Sequence, residues 1–333
     1  MTPSRTPLPT GLPRRRCLAL LGALPVAATA GATQEVAWPT RPVRILVPFP
    51  AGSGTDTLAR FYSERLARSL GQSVPVENMG GANGVIATRA AARAAPDGYT
   101  VFFGTVSTHA ANPNLLRAPG FDPIRDFAPV SMLTINALAL LVRADFPARD
   151  LQEFIAHARA RPGRLNFGIG NAGGLAGTHL LTSATGIRAE QVTYRGTPAA
   201  MTDLLGGRIQ FMVVDLGPAV PHLRAGTIRA LAVTTARRIE LLPDVPTMQE
   251  GGIPGFDFAS WNAVWVPAGT PAPIIARLNR EIVAIGESEE AKRFAAGMGI
   301  TSTTSTPEAL GAFTERELAR WARIVEEAGI PRE

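Results

Sequence analysis

The chain has 333 residues, 46% hydrophobic and 18% charged, enough for one large domain or two ordinary ones around a sizeable core and unlike a disordered chain. Its formal charge of +6 overstates any affinity for nucleic acid, because residues 1–32 hold four Arg and no acidic residue, and without them the charge is +2. Cys17 is the only cysteine and lies in that segment, so the rest of the chain can form no disulfide, cysteine nucleophile or thiolate metal site.

Arg5 and Arg14 to Arg16 form a basic start, Cys17 to Ala30 is small and apolar, and Ala28-Thr29-Ala30 and Ala30-Gly31-Ala32 both suit signal peptidase. Residues 1–32 thus read as a cleaved secretory signal for the Sec or the twin-arginine route. Its apolar stretch is too short to cross a hydrocarbon layer of about 30 Å, and no later run is long enough, so the mature chain is expected to be soluble. Cys17 follows Arg16, which does not fit a lipoprotein signal.

Val43 to Pro48 reads as a buried strand, PAGSGTD over 50–56 as a glycine-rich turn, and Leu58, Phe61, Tyr62, Leu66 and Leu70 as a helix that Gly71 ends. Val74 to Val76 is a weak strand, at an edge because of Pro75. An alanine-rich helix over 82–95 and a strong strand over 99–103 complete a β-α-β-α-β unit, which implies a parallel sheet with helices on its faces.

Leu138 to Val142 is an apolar run leaving this unit. Asp150 can cap a helix carrying Leu151, Phe154, Ile155 and Ala158. A strand over 165–169 is followed by a second glycine-rich loop, Gly170 to Leu180, and a strand over 191–194. Thr197 as cap and Pro198 in the first turn start a helix that Gly206 ends. Strands over 208–214 and 229–234 flank a helical segment at 218–225. Trp261 to Val266 is one more strand. Helices over 271–285, 289–298 and 307–328 have no strands between them and are expected to pack back on the first unit. The reading is α/β: two doubly wound lobes, 33–138 plus 257–333 and 139–256, joined by a two-strand hinge where the chain crosses near 135–142 and 255–262. Hinge closure around a ligand is a known use of such a build.

Ligands of open α/β sheets bind beyond the carboxyl ends of the strands. The loop Phe49-Pro50-Ala51-Gly52-Ser53-Gly54-Thr55-Asp56 lies there and runs into a helix N-terminus, which attracts an anion without any Arg or Lys. Asp56 either caps that helix or faces the ligand. Gly104 to His109, with Thr105 and Ser107, follows the third strand. His179 ends the second glycine loop, Tyr194-Arg195-Gly196 precedes a helix start, and Asp215 ends a strand. Each is either a crevice contact or a loop hydrogen bond or cap. The glycine loop is neither a Walker A loop nor GxGxxG. His109, His157, His179 and His222 form no HExxH, and no G-x-S-x-G elbow is present, so an enzyme is not expected.

WPTRPVRILVPFPAGSGTD, VENMGGANG, ARAAPDGYTVFFGT, FDPIRDFAPVSML, VTYRGTPAAMTDLLGGRIQFM, RAGTIRALAVT and LPDVPTMQEGGIPGF resemble, in this order, the Bug or TctC receptors of tripartite tricarboxylate transporters. The resemblance implies a type II periplasmic-binding-protein fold and a monomeric periplasmic receptor without cofactor or nucleic-acid partner. Such a receptor passes a small organic acid to the membrane subunits of a transporter, or presents it to a membrane sensor kinase. It implies a carboxylate held by backbone amides and waters. The lobe-one contacts are Phe49, Ala51, Gly52, Ser53, Gly54, Asp56, Thr105 and Ser107. The lobe-two contacts are Asn171, Gly173, His179, Tyr194, Arg195, Gly196 and Asp215. The chain departs from the family pattern in its longer, serine-free Gly170–His179 loop and in Ala51 and Ser53, where Pro and Gly are frequent, which leaves the contacts of residues 171–178 open.

Overall fold

The computed structural model describes residues 38–332 together with residues 1–4 and 6. The expected signal segment therefore lies, apart from its first residues, outside the described residues. Among these, no helix is long and apolar enough to cross a membrane.

In the first half, β1 (Arg44–Val47) leads through the glycine turn to α1 (Gly54–Leu70), then β2 (Val76–Asn78), α2 (Val85–Ala92) and β3 (Thr100–Thr105). A π-helical turn, Ser107–Ala111, runs into α3 (Asn112–Leu115). β4 (Phe127–Arg143) follows, 17 residues long. The second half contains α4 (Leu151–Arg159), β5 (Asn166–Ile169), α5 (Ala172–Thr185), β6 (Glu190–Thr193), α6 (Thr197–Leu205), β7 (Phe211–Asp215), α7 (Val220–Arg224) and β8 (Ile228–Val233). The chain returns through β9 (Ala259–Pro267) and ends with α8 (Ala272–Gly286), α9 (Glu289–Gly297), β10 (Ile300–Ser302) and α10 (Pro307–Glu327).

The strand order is β2-β1-β3-β9-β4-β7-β5-β6, with β8 and β10 also paired to β4. β1, β2 and β3 are mutually parallel, as are β5, β6 and β7, whereas β9, β8 and β10 run antiparallel to their neighbours. The first β-α-β-α-β unit is parallel as expected, and the sheet as a whole is mixed. The reason is β4: its first part pairs with β9 and β10, and from Leu138 onward it pairs with β7 and β8. One strand thus serves both halves, and the apolar run 138–142 is its second part. β2 sits at the edge, as the Pro beside it suggested.

Alternation places the core. Ile45, Val47, Val101 and Phe103 face one cluster with α1 and α8, and Leu46 and Phe102 face the other side. In β4, Leu138, Leu140 and Val142 join the cluster that also holds Phe102, Trp261 and Trp265, so one apolar core runs beneath both halves. Ala139 and Leu141 point to a separate cluster around Met201, Leu204 and Met212. Of the tail helices, α8 packs on β4 and α1 and α10 packs on β4, while β10 stands between α9 and α10 and pairs with β4, where no strand was expected.

Two local readings change. Gly170 to Leu180 is not a loop: Asn171 caps α5, its Oδ1 accepting from Gly174 N at 2.8 Å. Glycine lowers helix propensity, but here it lets α5 approach β7. A Cβ at Gly177 would stand 2.7 Å from Val213 Cγ1, and one at Gly174 2.8 Å from Val213 O. At α6 the cap position is Gly196, with no side-chain cap, and Thr197 is already inside the helix.

Candidate functional site

The segments that follow β1, β3, β5, β6 and β7 meet in one crevice, as expected for strand carboxyl ends. It encloses about 570 Å³ of space counted out to its mouth. The two halves are closed over it. Ala172 N donates to Ser107 Oγ across the crevice at 3.2 Å. At the mouth the loops touch, since a Cβ on Gly196 would lie 2.8 Å from Pro50 Cγ.

Of the residues expected from sequence, Phe49, Ser53, Gly54, Thr105, Ser107, Asn171 and Asp215 line this cavity. The others stand around it or away from it. Ala51 is exposed and Gly52 adjoins the opposite loop, a Cβ there being 4.0 Å from Pro198 Cγ. Gly173 is buried near Ser260. His179 lies on the outer part of α5, its Nε2 3.2 Å from Gln191 Oε1. Tyr194 donates its hydroxyl to Asp203 Oδ2 at 2.8 Å; burial and that carboxylate push the phenol up to about 12. Arg195 is exposed, and Gly196 forms the mouth.

Asp56 is a brace for the loop. Its Oδ2 accepts from Gly52 N at 2.9 Å and from Arg60 Nε at 3.1 Å, and its Oδ1 accepts from Asn78 Nδ2 at 2.9 Å. Asn78 also donates to Phe49 O at 3.1 Å. Burial pushes the Asp56 carboxyl up, but Arg60, Gly52 and Asn78 outweigh it and hold the group below the ordinary range. The helix cap is Ser53, whose Oγ accepts from Asp56 N at 3.2 Å.

Thr55 of the expected loop also lines the cavity, and sequence reasoning missed Asn136, Thr197, Ser260 and Asn262, together with Met298 and Ile300 from the tail. Asn262 joins three elements: Nδ2 donates to Thr55 Oγ1 at 3.1 Å, and Oδ1 accepts from Asn136 Nδ2 at 2.7 Å and from Thr134 Oγ1 at 3.2 Å. A signal was present, since INALALL and SWNAVWV each set an asparagine inside an apolar strand, where it needs a partner. Met298 and Ile300 carried no such mark.

The lining holds no Lys, Arg, His or Cys, and Asp215 is its one ionisable group. Asn171 Nδ2 donates to Asp215 Oδ2 at 2.8 Å, which ties the α5 cap to the end of β7. Burial raises the Asp215 carboxyl above its usual range, partly offset by Asn171, its own amide and Ser260. Positive potential comes from the N-termini of α1, α5 and α6, whose first-turn amides have no acceptor within their helix. Each such terminus favours an anion by about 0.3–1 kcal/mol, and by up to ~2 when partly buried. Behind Thr105, His109 is buried and stacked on Trp265 at 3.6 Å, and burial pushes its imidazole down to about 3.

The crevice thus lies between the halves of a mixed sheet and is ringed by helix N-termini. Residues 58–330 match the tripartite tricarboxylate transporter family receptor, TctC. The chain is 37% identical over 322 residues to Protein BugT of Bordetella pertussis, covering 94% of this chain and 98% of that one. Its fold is similar to that of R. palustris Rpa4515 with adipate, with a TM-score of 0.87, 36% identity and coverage of 89% and 100% of the two chains. It is also similar to MatC from Rhodopseudomonas palustris with bound malate, with a TM-score of 0.82, 34% identity and coverage of 86% and 100%. The chain belongs to the TctC/Bug family of solute-binding receptors, which are not enzymes.

Proposed function

We propose that this protein is an exported periplasmic receptor that captures a small carboxylate in the crevice and delivers it to the membrane subunits of a tripartite tricarboxylate-type transporter. The observation that carries the reading is a buried polar crevice where three helix N-termini converge and no basic side chain competes to define the ligand. The adipate and malate bound by Rpa4515 and MatC support the same ligand class. In this reading residues 33–138 with 257–333 and residues 139–256 act as two lobes of a monomer. The lobes open about β4 and the return into β9 to admit the ligand and close over it. Contacts come from the loop 49–54, from Thr105 and Ser107, and from Asn171 and Asp215 on the other side, with Asp56 bracing the first loop.

The test is thermal unfolding and tryptophan fluorescence against a carboxylate panel that includes adipate and malate. Trp261 is the most informative reporter, because it sits on β9 opposite Ile135 of β4 and donates from Nε1 to Glu317 Oε2 at 2.8 Å. A true ligand stabilises by RT ln(1 + [L]/Kd), about 2.7 kcal/mol at a hundredfold excess over Kd. No saturable response to any carboxylate overturns the proposal. Loss of uptake of the identified ligand in cells without this protein checks the transport step.

A further inference from the structure

We propose that Asp215 serves the closed crevice as a neutral acid, donating its O–H to the second carboxylate of a small dicarboxylate whose first carboxylate sits at the helix N-termini. This deepens the carboxylate reading and rests on it.

The geometry leaves Asp215 without a counter-charge. As a residue it keeps some exposure through the crevice, but its Oδ1 is buried and has no hydrogen-bond partner among the described residues. Its Oδ2 takes a donor, Asn171 Nδ2, at 2.8 Å, and its own amide and Ser260 also act on the group, but none of these is a cation. The elements around it bring nothing that ionises to the cavity. They contribute Thr55 from α1, Asn136 from β4, Asn171 from α5, Thr197 from α6, Ser260 and Asn262 from β9, and apolar Met298. Asp56 is engaged with Gly52, Arg60 and Asn78 outside the lining, and His109 is stacked on Trp265 behind Thr105.

A buried carboxylate with no cation is costly, and a like-charged ligand in the same cavity makes it more so. Protonation removes both penalties and turns the orphan oxygen into a donor. The first-turn amides of α1, α5 and α6 are donors as well, so the O–H of Asp215 adds to a set of groups suited to carboxylate oxygens. When the crevice opens to water Asp215 can ionise again. Capture therefore takes up one proton: the proton goes to Asp215, and the ligand stays ionised.

The experiment is calorimetric binding of malate, adipate and aspartate by the purified protein and by Asp215→Asn and Asp215→Ala, between about pH 5 and 8. In the wild type the diacid Kd weakens as pH rises, approaching about tenfold per pH unit. Proton uptake shows as a dependence on buffer ionisation enthalpy. Asp215→Asn keeps a donor without a titrating proton, so it binds the diacids within a few-fold of the wild type at acid pH and its profile is flat. Asp215→Ala loses about 10- to 100-fold. If Asp215→Asn loses binding as Ala does, or the wild-type Kd is flat or tightens with rising pH, the proposal is overturned. A preference for aspartate that vanishes in Asp215→Asn overturns it too, by showing an ionised Asp215 that receives an ammonium group. If the wild type binds no carboxylate at all, the receptor reading falls, and this one with it.

Discussion

Asp56 lies in the first turn of α1 and Asp215 ends β7, and their surroundings drive them in opposite directions. Asp56 is held below its ordinary 3.8 by Arg60, Gly52 and Asn78 against the pull of burial. A depressed acid contributes stability above its unfolded value and loses it as pH falls through the folded one. The stability gap between wild type and Asp56→Asn, measured by urea unfolding, is therefore expected to be full at neutral pH and to close below about pH 4. His109 loses its contribution on acidification too, but through burial of a neutral ring rather than through partners of a charged one. It is buried neutral at about 3, so its unfolded form binds the proton first. Its contribution is complete above the unfolded value near 6.5 and drains away as pH falls toward 3. His109→Gln, neutral throughout, is expected to show a shallower loss of urea midpoint across that window. Gly52 has φ +80°, and a Cβ there has room, with its nearest neighbour 4.0 Å away. Gly52→Val thus acts through backbone strain of about 1–2 kcal/mol rather than by filling the cavity, which a lowered urea midpoint checks.

At the scale of elements, the site depends on how helices begin and on where two strands cross. Ser53 caps α1 and Asn171 caps α5, and both also face the cavity. Asn262 fastens β9 to β4 and to the start of α1. Asn262→Ala is expected to cost about 1–3 kcal/mol, because it strands the buried amide of Asn136 and the hydroxyl of Thr134; chemical denaturation measures it. The crevice loop after β1 was legible from its glycines and its place before a helix, and so was the polar end of β7. The α5 region was not. Glycine density argued for a loop, whereas Gly174 and Gly177 serve close packing of a helix on Val213, a contact distant in sequence. His179 is set beside Gln191 by its phase on α5, and Arg195 is exposed, so neither lines the cavity, and neither outcome is visible in a one-dimensional pattern.

For the whole molecule, one apolar core runs under both halves, while the polar crevice separates them on the side where Ser107 meets Ala172. Closure is thus held by few direct bonds over a continuous base. We expect small-angle scattering to show a smaller radius of gyration at ligand saturation than without ligand. Ser107→Ala, which removes the acceptor for Ala172 N, should weaken ligand affinity by roughly 3- to 10-fold; a binding titration checks that. Alternating and helical periodicities, glycine turns after strands, and motifs spread along the chain determined by themselves the α/β class, the order of nearly all elements and the family, because these are properties of neighbours in sequence. Only the tertiary structure decided that β4 serves both halves, that Asn136, Asn262 and Ser260 complete the cavity, and that Asp56 is a brace while Asp215 faces the interior. Those outcomes depend on which distant segments share a small volume, and burial and hydrogen-bond partners exist only once that volume is formed.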